Sequence, residues 1–525
     1  MKHPKRLLSL LLAALLLLSA VPVAVFAEDA PEGIEEILEA TDSNVSIRED
    51  VSGYPILNMA GAWHPLYKNE GPDETVAFNP DRALSVDALM PVVNKMLDSA
   101  KKLEWDRFAD HLIEFFWNGF GAIQCDENGN PIDDTISCDR PNQWEDTDGD
   151  GEIEYSFDWR LDAWKNAEKL HDWMAEREAQ YGKFNIFGMS GSGQIILAYL
   201  KRYGTEYLAS IAFTMSMHAG TSLFGGIATR KLLKIDADAL GNTSKMDFLG
   251  LAGTIGPLQG VLKGLHEAGL LDVVLKFLSL ATDKMMQKVY DEAITPLWFQ
   301  IPQFWSFVPT SQYEEAKKLL FNKPGDAEKY AGLIERIDRY RYQVLGNQEA
   351  LLKDAASKIK VAVRAGYGFP LIGFAQGTYV QSDEFVDTQY ASFGATCAPL
   401  DKPFGKNYVQ KVHSLNNYIS PDRMIDASTC VLPDYTFFAQ NFFHYTEHSY
   451  GGWYEWFLST QNGYSIHDDP RFPQYVRCVE QKKNKGVFEP LVAEPESFGT
   501  MLLNALYTIL KAWRFILLLP LFWIK

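Results

Sequence analysis

The run from Leu161 to Met215 most constrains what this chain can fold into. Leu161, Trp164, Ala167, Leu170 and Met174 recur at three- and four-residue spacing and so share one face of a helix. Phe184-Asn-Ile-Phe187 then reads as a strand, Gly188-Met-Ser-Gly-Ser-Gly193 as a turn, residues 194–203 as a second helix and 207–215 as a second strand. Strand, crossover helix, strand implies a parallel sheet.

The same alternation extends outward. Residues 54–58 read as a short buried strand entering Met59-Ala-Gly-Ala-Trp63, 86–103 as a helix and 153–159 as a strand; strand character returns at 359–364 and 435–443. Between about 217 and 358 the alternation gives way to helical, apolar sequence. It runs through Leu258 to Leu280 and on to Trp298, Phe299, Phe304, Trp305 and Phe307, which reads as an inserted cap. The expected class is α/β, a mostly parallel sheet flanked by helices with a large helical cap.

Charge narrows the partners. Across 525 residues, 49 Lys plus Arg face 68 Asp plus Glu, a formal net charge of -19, and no basic stripe interleaves with aromatics, which excludes nucleic acid. Lys2, Lys5 and Arg6 precede an apolar run over 7–26 that closes on Val25-Phe26-Ala27, the pattern of an export signal over 1–27, with an uncleaved anchor as the alternative. One domain is expected over 28–497, followed by a hydrophobic tail over 498–525. Of the five cysteines, Cys125, Cys138, Cys397, Cys430 and Cys478, the first two flank a turn-rich stretch and would pair if it is a hairpin.

A sharp turn between strand and helix can hold Ser190 proud of a sheet when the residues two positions either side are small, as Gly188 and Ser192 are. This is a nucleophile elbow, with the helix N-terminus aimed at developing negative charge. A serine needs a base, and the base an anion, in the chain order Ser, acid, His. His444, at the end of the last apolar strand, 435–443, is the first choice of base, with His448 as competitor. Asp422, in the turn before that strand, is the first choice of acid. Asp383 and Asp426 are the alternatives, Asp383 separated from His444 by a long excursion. Gly191 is expected to supply one oxyanion donor, and the loop after the first strand the other, through Ala62 or else Gly61.

Tyr155-Ser-Phe-Asp-Trp-Arg-Leu-Asp162, followed by a helix and the Ser190 elbow, resembles the lecithin:cholesterol acyltransferase family, which includes lysosomal phospholipase and phospholipid:diacylglycerol acyltransferase. Pro55-Ile-Leu-Asn-Met-Ala-Gly61 is similar to that family's oxyanion-loop strand, and Asp422-Arg-Met-Ile425 to its acid turn, with Ser192 and Arg423 standing where the family usually has Gly. The resemblance implies an α/β-hydrolase fold and an ester hydrolase acting on acyl lipids, with O-acyl transfer as the alternative within enzymes. A catalytically silent lipid-binding surface protein is the alternative outside them.

The chemistry requires no cofactor. Asp146, Asp148 and Asp150 match the first half of a calcium loop, but position twelve is Phe157 rather than Glu, so a solvated acidic turn is expected there. The tail sets Asn504, Lys511 and Arg514 on one helical face against Leu, Ile, Trp and Phe, which suits a helix lying in a membrane surface, with a helix docked on the catalytic domain or one crossing the membrane as the alternatives. The combined expectation is an exported, secreted or cell-surface ester hydrolase working through Ser190, His444 and Asp422, held at a lipid surface by its tail.

Overall fold

The structure, a computed structural model, describes residues 49–59, 61, 64–68, 75–83, 86–102, 104–138, 151–231, 284–371, 377–400, 402–444, 452–482 and 485–493. The export segment, the tail, Asp146, Asp148, Asp150, Ala62 and His448 lie outside the described residues.

In chain order the strands are β1 (Ile56–Met59), β2 (Leu66–Lys68), β3 (Thr75–Phe78), β4 (Ile136–Ser137), β5 (Glu152–Glu154), β6 (Phe184–Met189), β7 (Leu208–Thr214), β8 (Lys360–Tyr367), β9 (Thr396–Cys397), β10 (Ile425–Asp426), β11 (Thr436–Gln440), β12 (Tyr475–Lys482) and β13 (Lys485–Pro490). Eight of them form one sheet in the order β13-β12-β11-β8-β7-β6-β1-β5, parallel at every pairing except β12 with β13. The α/β expectation is met at this level.

Strands β6, β7 and β8 are buried along their whole length, as strands covered on both faces must be. Alternate residues feed two cores. Ile186, Ile211, Phe213, Val361 and Val363 join the larger one, while Phe187, Ala212, Ala362 and Phe437 join a second core with Trp453, Trp456 and Phe457. The larger core also takes up helices α1 (Ala163–Tyr181) and α2 (Ser192–Tyr203). Asp162 caps α1 by accepting from the Lys165 N–H at 3.0 Å.

Lys360, buried at the start of β8, fixes the second core. Its Nζ donates to the carbonyls of Phe457, Leu458 and Thr460, where the helix Trp453–Ser459 ends and leaves carbonyls without partners.

Among the described residues of 217–358 every element is helical. Helix α3 (Ser222–Ala228) opens the region and α4 (Pro302–Ser306) lies above the sheet; the buried Arg341 guanidinium ties the end of α4 by donating to the carbonyls of Trp305 and Val308. The aromatic residues expected there, Trp298, Phe299, Phe304, Trp305 and Phe307, are all buried as core.

Three expectations need correction. The strand over 153–159 shrinks to Glu152–Glu154, because the following residues leave the sheet to build a polar brace: Arg160 pairs with Asp158 at 2.8 Å, and the Trp159 indole donates to the His64 carbonyl at 2.9 Å. The strand at 436–440 is not the last, since β12 and β13 extend the sheet beyond it. The five cysteines are unbridged. The turn after Cys125 does form, but the Cys138 thiol is directed at the Phe157 carbonyl instead of at Cys125.

Candidate active site

Strand β6 ends at Met189 and α2 starts at Ser192, so the chain must reverse within two residues. It does so through Ser190 at φ +54, a left-handed conformation that side chains other than glycine rarely adopt. The strain is held from both sides. The Ser190 N–H donates to the Thr214 carbonyl on β7 at 3.2 Å, and the Ser190 carbonyl accepts from the Met217 N–H at 2.9 Å and the Gly193 N–H at 3.3 Å.

The small residues of the elbow are closely surrounded by side chains that a larger residue would have to displace. A Cβ on Gly188 would fall 2.1 Å from Ile196 Cδ1, and one on Gly193 1.9 Å from Ser216 Oγ. Ser192 is tolerated because its buried hydroxyl donates to the Met189 carbonyl at 2.8 Å. Its oxygen is thereby satisfied inside the turn.

His444 lies four residues past β11 and is buried, with Nε2 3.0 Å from Ser190 Oγ and Nδ1 2.9 Å from Asp383 Oδ2. A carboxylate can only accept, so Nδ1 carries the proton and Nε2 presents its lone pair to the serine. Met217 Sδ stands 3.2 Å from the same hydroxyl, but a thioether is a weak acceptor and the imidazole nitrogen takes the single proton.

Asp383 is itself fully buried and held rigid. Its Oδ1 accepts from the Phe385 N–H at 3.0 Å and the Val386 N–H at 2.7 Å, leaving Oδ2 for the histidine. Gly366 on β8 permits the approach, since a Cβ there would meet Asp383 Cβ at 2.7 Å and the Phe442 carbonyl at 2.9 Å.

The acid facing His444 is therefore Asp383, and the choice of Asp422 is corrected. Asp422 lies at the same end of the sheet, but its carboxylate accepts from the Tyr367 hydroxyl at 3.0 Å, the Gln440 amide at 2.6 Å and the Ser420 hydroxyl at 2.6 Å, tying down the ends of β8 and β11. Asp426 caps a turn, accepting from the Tyr408 hydroxyl and from the Lys411 and Ser428 N–H groups. Ser190 and His444 come together as the sequence predicts.

On the side where an oxyanion is expected, Gly191 follows Ser190 and leads into α2, so its N–H and the helix dipole point the same way. Gly61 comes within reach from the loop after β1: a Cβ there would sit 3.1 Å from Ser190 Oγ and 3.7 Å from the Gly191 nitrogen. Trp159 secures that loop through its bond to His64, which gives the Asp158-Trp159-Arg160 triplet a role that neither composition nor periodicity signals. Burial keeps the His64 imidazole neutral, holding it down to about 4.

A second support reaches the elbow from the cap. Gln303 of α4, fully buried, places its amide nitrogen 3.4 Å from the Gly191 carbonyl and 3.1 Å from Gln194 Oε1, while Gln194 donates to the Met217 carbonyl at 3.2 Å. Sequence reading missed this chain because its members are 109 and 23 positions apart.

Compared with known proteins, the chain matches no family model and no curated relative. Among the described residues no group of three or more His, Cys, Asp or Glu side chains could hold a metal ion, and no helix is long and apolar enough to cross a membrane.

Proposed function

We propose that the chain is a serine ester hydrolase of the α/β-hydrolase type, acting on acyl lipids through an acyl-enzyme. The observation that carries the proposal is the linear relay from Ser190 Oγ to His444 Nε2 at 3.0 Å and from His444 Nδ1 to Asp383 Oδ2 at 2.9 Å, at the carboxyl end of a parallel sheet. The order of nucleophile, acid and histidine along the chain is the order that fold uses.

In this reading Ser190 Oγ adds to the ester carbonyl as its proton passes to His444 Nε2, and the Asp383 carboxylate stabilises the imidazolium that forms. The tetrahedral oxygen receives the Gly191 N–H together with a donor from the Gly61 loop. Collapse expels the alcohol, which takes the proton back from Nε2. Water then enters and adds to the acyl carbon as its proton passes to the same nitrogen. Collapse breaks the acyl–Oγ bond, Ser190 Oγ takes the proton back from Nε2 and the acid leaves.

The lipid part rests on the surroundings. Phe385 packs 5.1 Å from the His444 ring and leads to Phe224, which contacts Phe304 and Phe307 of the cap. Such a setting excludes water and favours apolar acyl chains over charged substrates. An alcohol in place of water would turn the same acyl-enzyme toward transfer.

The test is a fluorophosphonate label with an ester panel on wild type and Ser190→Ala. Label on Ser190 and turnover lost in the variant are expected. An unlabelled wild type would mark a silent lipid binder, and a product that shifts to a new ester on adding alcohol would mark an acyltransferase.

A further inference from the structure

Between β9 and β10 the chain makes an excursion whose surface differs from the rest of the molecule. Residues 402–417 contain Lys402, Lys406 and Lys411 and no Asp or Glu, in a chain of net charge -19. All three lysines and His413 are exposed. The same stretch holds three of the nine exposed large apolar side chains among the described residues: Val409 at 77%, Val412 at 50% and Leu415 at 102%.

These side chains stand on a built support. Phe404 stacks on Tyr408 with ring centres 4.0 Å apart, and the Tyr408 hydroxyl and Lys411 N–H both bond the buried Asp426 carboxylate, at 2.7 and 2.8 Å. The Val412 N–H donates to Ser428 Oγ at 3.1 Å, and Gln410 spans the turn to the Asn416 carbonyl and the Tyr418 N–H. A loop fixed by this many polar bonds, yet presenting its aliphatic groups to water, gains nothing from them in the folded chain.

The excursion also has a position. One limb returns through Asp422, bonded to Tyr367 and Gln440, the last residues of β8 and β11, at the end of the sheet that carries Asp383 and His444, while Asn416 and Tyr418 bond His467 and Asp434 beside the start of β11.

We propose that residues 402–417 form a lipid-docking loop, whose aliphatic tips enter the interface while Lys402 and Lys411 meet anionic headgroups. Apolar insertion combined with local positive charge is the signature of interfacial attachment. The carboxylate that touches the loop, Asp426, is buried beneath it and already accepts from the Tyr408 hydroxyl and the Lys411 and Ser428 N–H groups, so the charged side chains that 402–417 turns to solvent are cationic. The choice of lipid as occupant rests on the lipid-ester reading above, and the experiment separates the two by measuring binding without turnover.

The full chain is sedimented with phosphatidylcholine vesicles and with vesicles that also contain phosphatidylglycerol. The variants are Val409→Ser/Val412→Ser/Leu415→Ser and Lys402→Gln/Lys406→Gln/Lys411→Gln, with light scattering run in parallel without lipid. Wild type should bind the anionic vesicles more tightly. The serine variant should lose about tenfold or more of its partitioning onto both, and the glutamine variant only its preference for the anionic ones. Both should keep wild-type hydrolysis of a short soluble ester; loss of vesicle binding from a chain that never hydrolyses esters would sink the functional reading and leave the docking loop standing. Vesicle binding unchanged in the serine variant would overturn the proposal, as would a serine-sensitive dimer in a chain that ignores vesicles, which would make the loop a contact between copies.

Discussion

Asp383 and His444 are joined twice, by carboxylate to ring nitrogen and by backbone to backbone, the His444 N–H donating to the Asp383 carbonyl at 2.9 Å. The second bond fixes the distance between the two loops, so the two side chains meet without either loop having to move. Removal of the charge alone should therefore leave the geometry in place and reverse the tautomer.

Asp383→Asn is expected to lower kcat on a p-nitrophenyl ester by about 10³–10⁴-fold with little change in thermal stability. Asp422→Asn, whose partners are Tyr367, Gln440 and Ser420, should stay within about threefold of wild type. The opposite ranking in steady-state kinetics would return the acid role to Asp422.

The meeting of Ser190 with His444 was legible in the sequence because their signals are local. The elbow needs only a strand, a tight turn with small neighbours and a helix, all within 184–203, and His444 directly follows an apolar strand. The carboxylate that His444 bonds was not legible. Both Asp383 and Asp422 follow β8 and both sit in turns opened by a serine; they are told apart by Gly366, whose bare Cα lets the Asp383 loop close on His444 across the strand ends. The missed outer pair β12 and β13 has the opposite cause, since Tyr475-Val-Arg-Cys-Val-Glu-Gln-Lys482 is too polar to stand out beside the buried strands.

Gly61→Ala tests the oxyanion loop. The added methyl group would meet Ser190 Cβ at 3.0 Å and Oγ at 3.1 Å, both anchored by the strained elbow, so the loop must retreat. A shift of a few tenths of an ångström moves a donor off the tetrahedral oxygen, and a kcat loss of about 10²-fold is expected. Fluorophosphonate labelling should slow in parallel, whereas a purely structural role would change the melting temperature and spare the rate.

Gln303→Met tests the link from cap to elbow. The substitution keeps side-chain length but strands Gln194 Oε1 and removes the weak bond to the Gly191 carbonyl, costing about 1–3 kcal/mol of stability. As a positioning residue, Gln303 should also change kcat by about tenfold while leaving KM for a short ester unchanged. Equal kcat in variant and wild type below their melting temperatures would reduce its role to packing.

Asp387 supplies a pH dependence of known sign. It is fully buried near the acid loop, accepting from the Ser222 N–H at 2.8 Å and the Ser222 hydroxyl at 2.5 Å, and so holds the start of α3. Burial outweighs those bonds and pushes its carboxyl up to about 6. Tyr390, Cys397, Thr221 and, beyond Tyr390, Arg341 are the other polar or titratable groups around it. A raised acid binds its proton more tightly folded than unfolded, so its contribution to stability is fully present below about pH 4 and is lost as the pH rises through about 6. His218, stacked on Phe393 at 3.5 Å and held down to about 3 by burial, acts in the other direction, its contribution being present above about pH 6.5 and lost on acidification. Asp387→Asn keeps an acceptor for the Ser222 N–H and removes only the first of these terms. Urea unfolding between about pH 4.5 and 7.5 should then show the variant gaining on wild type as the pH rises, by on the order of 2 kcal/mol at the upper end. A difference that stays flat across that range would mean that Asp387 is ionised at no cost, and that Ser222 compensates its burial in full.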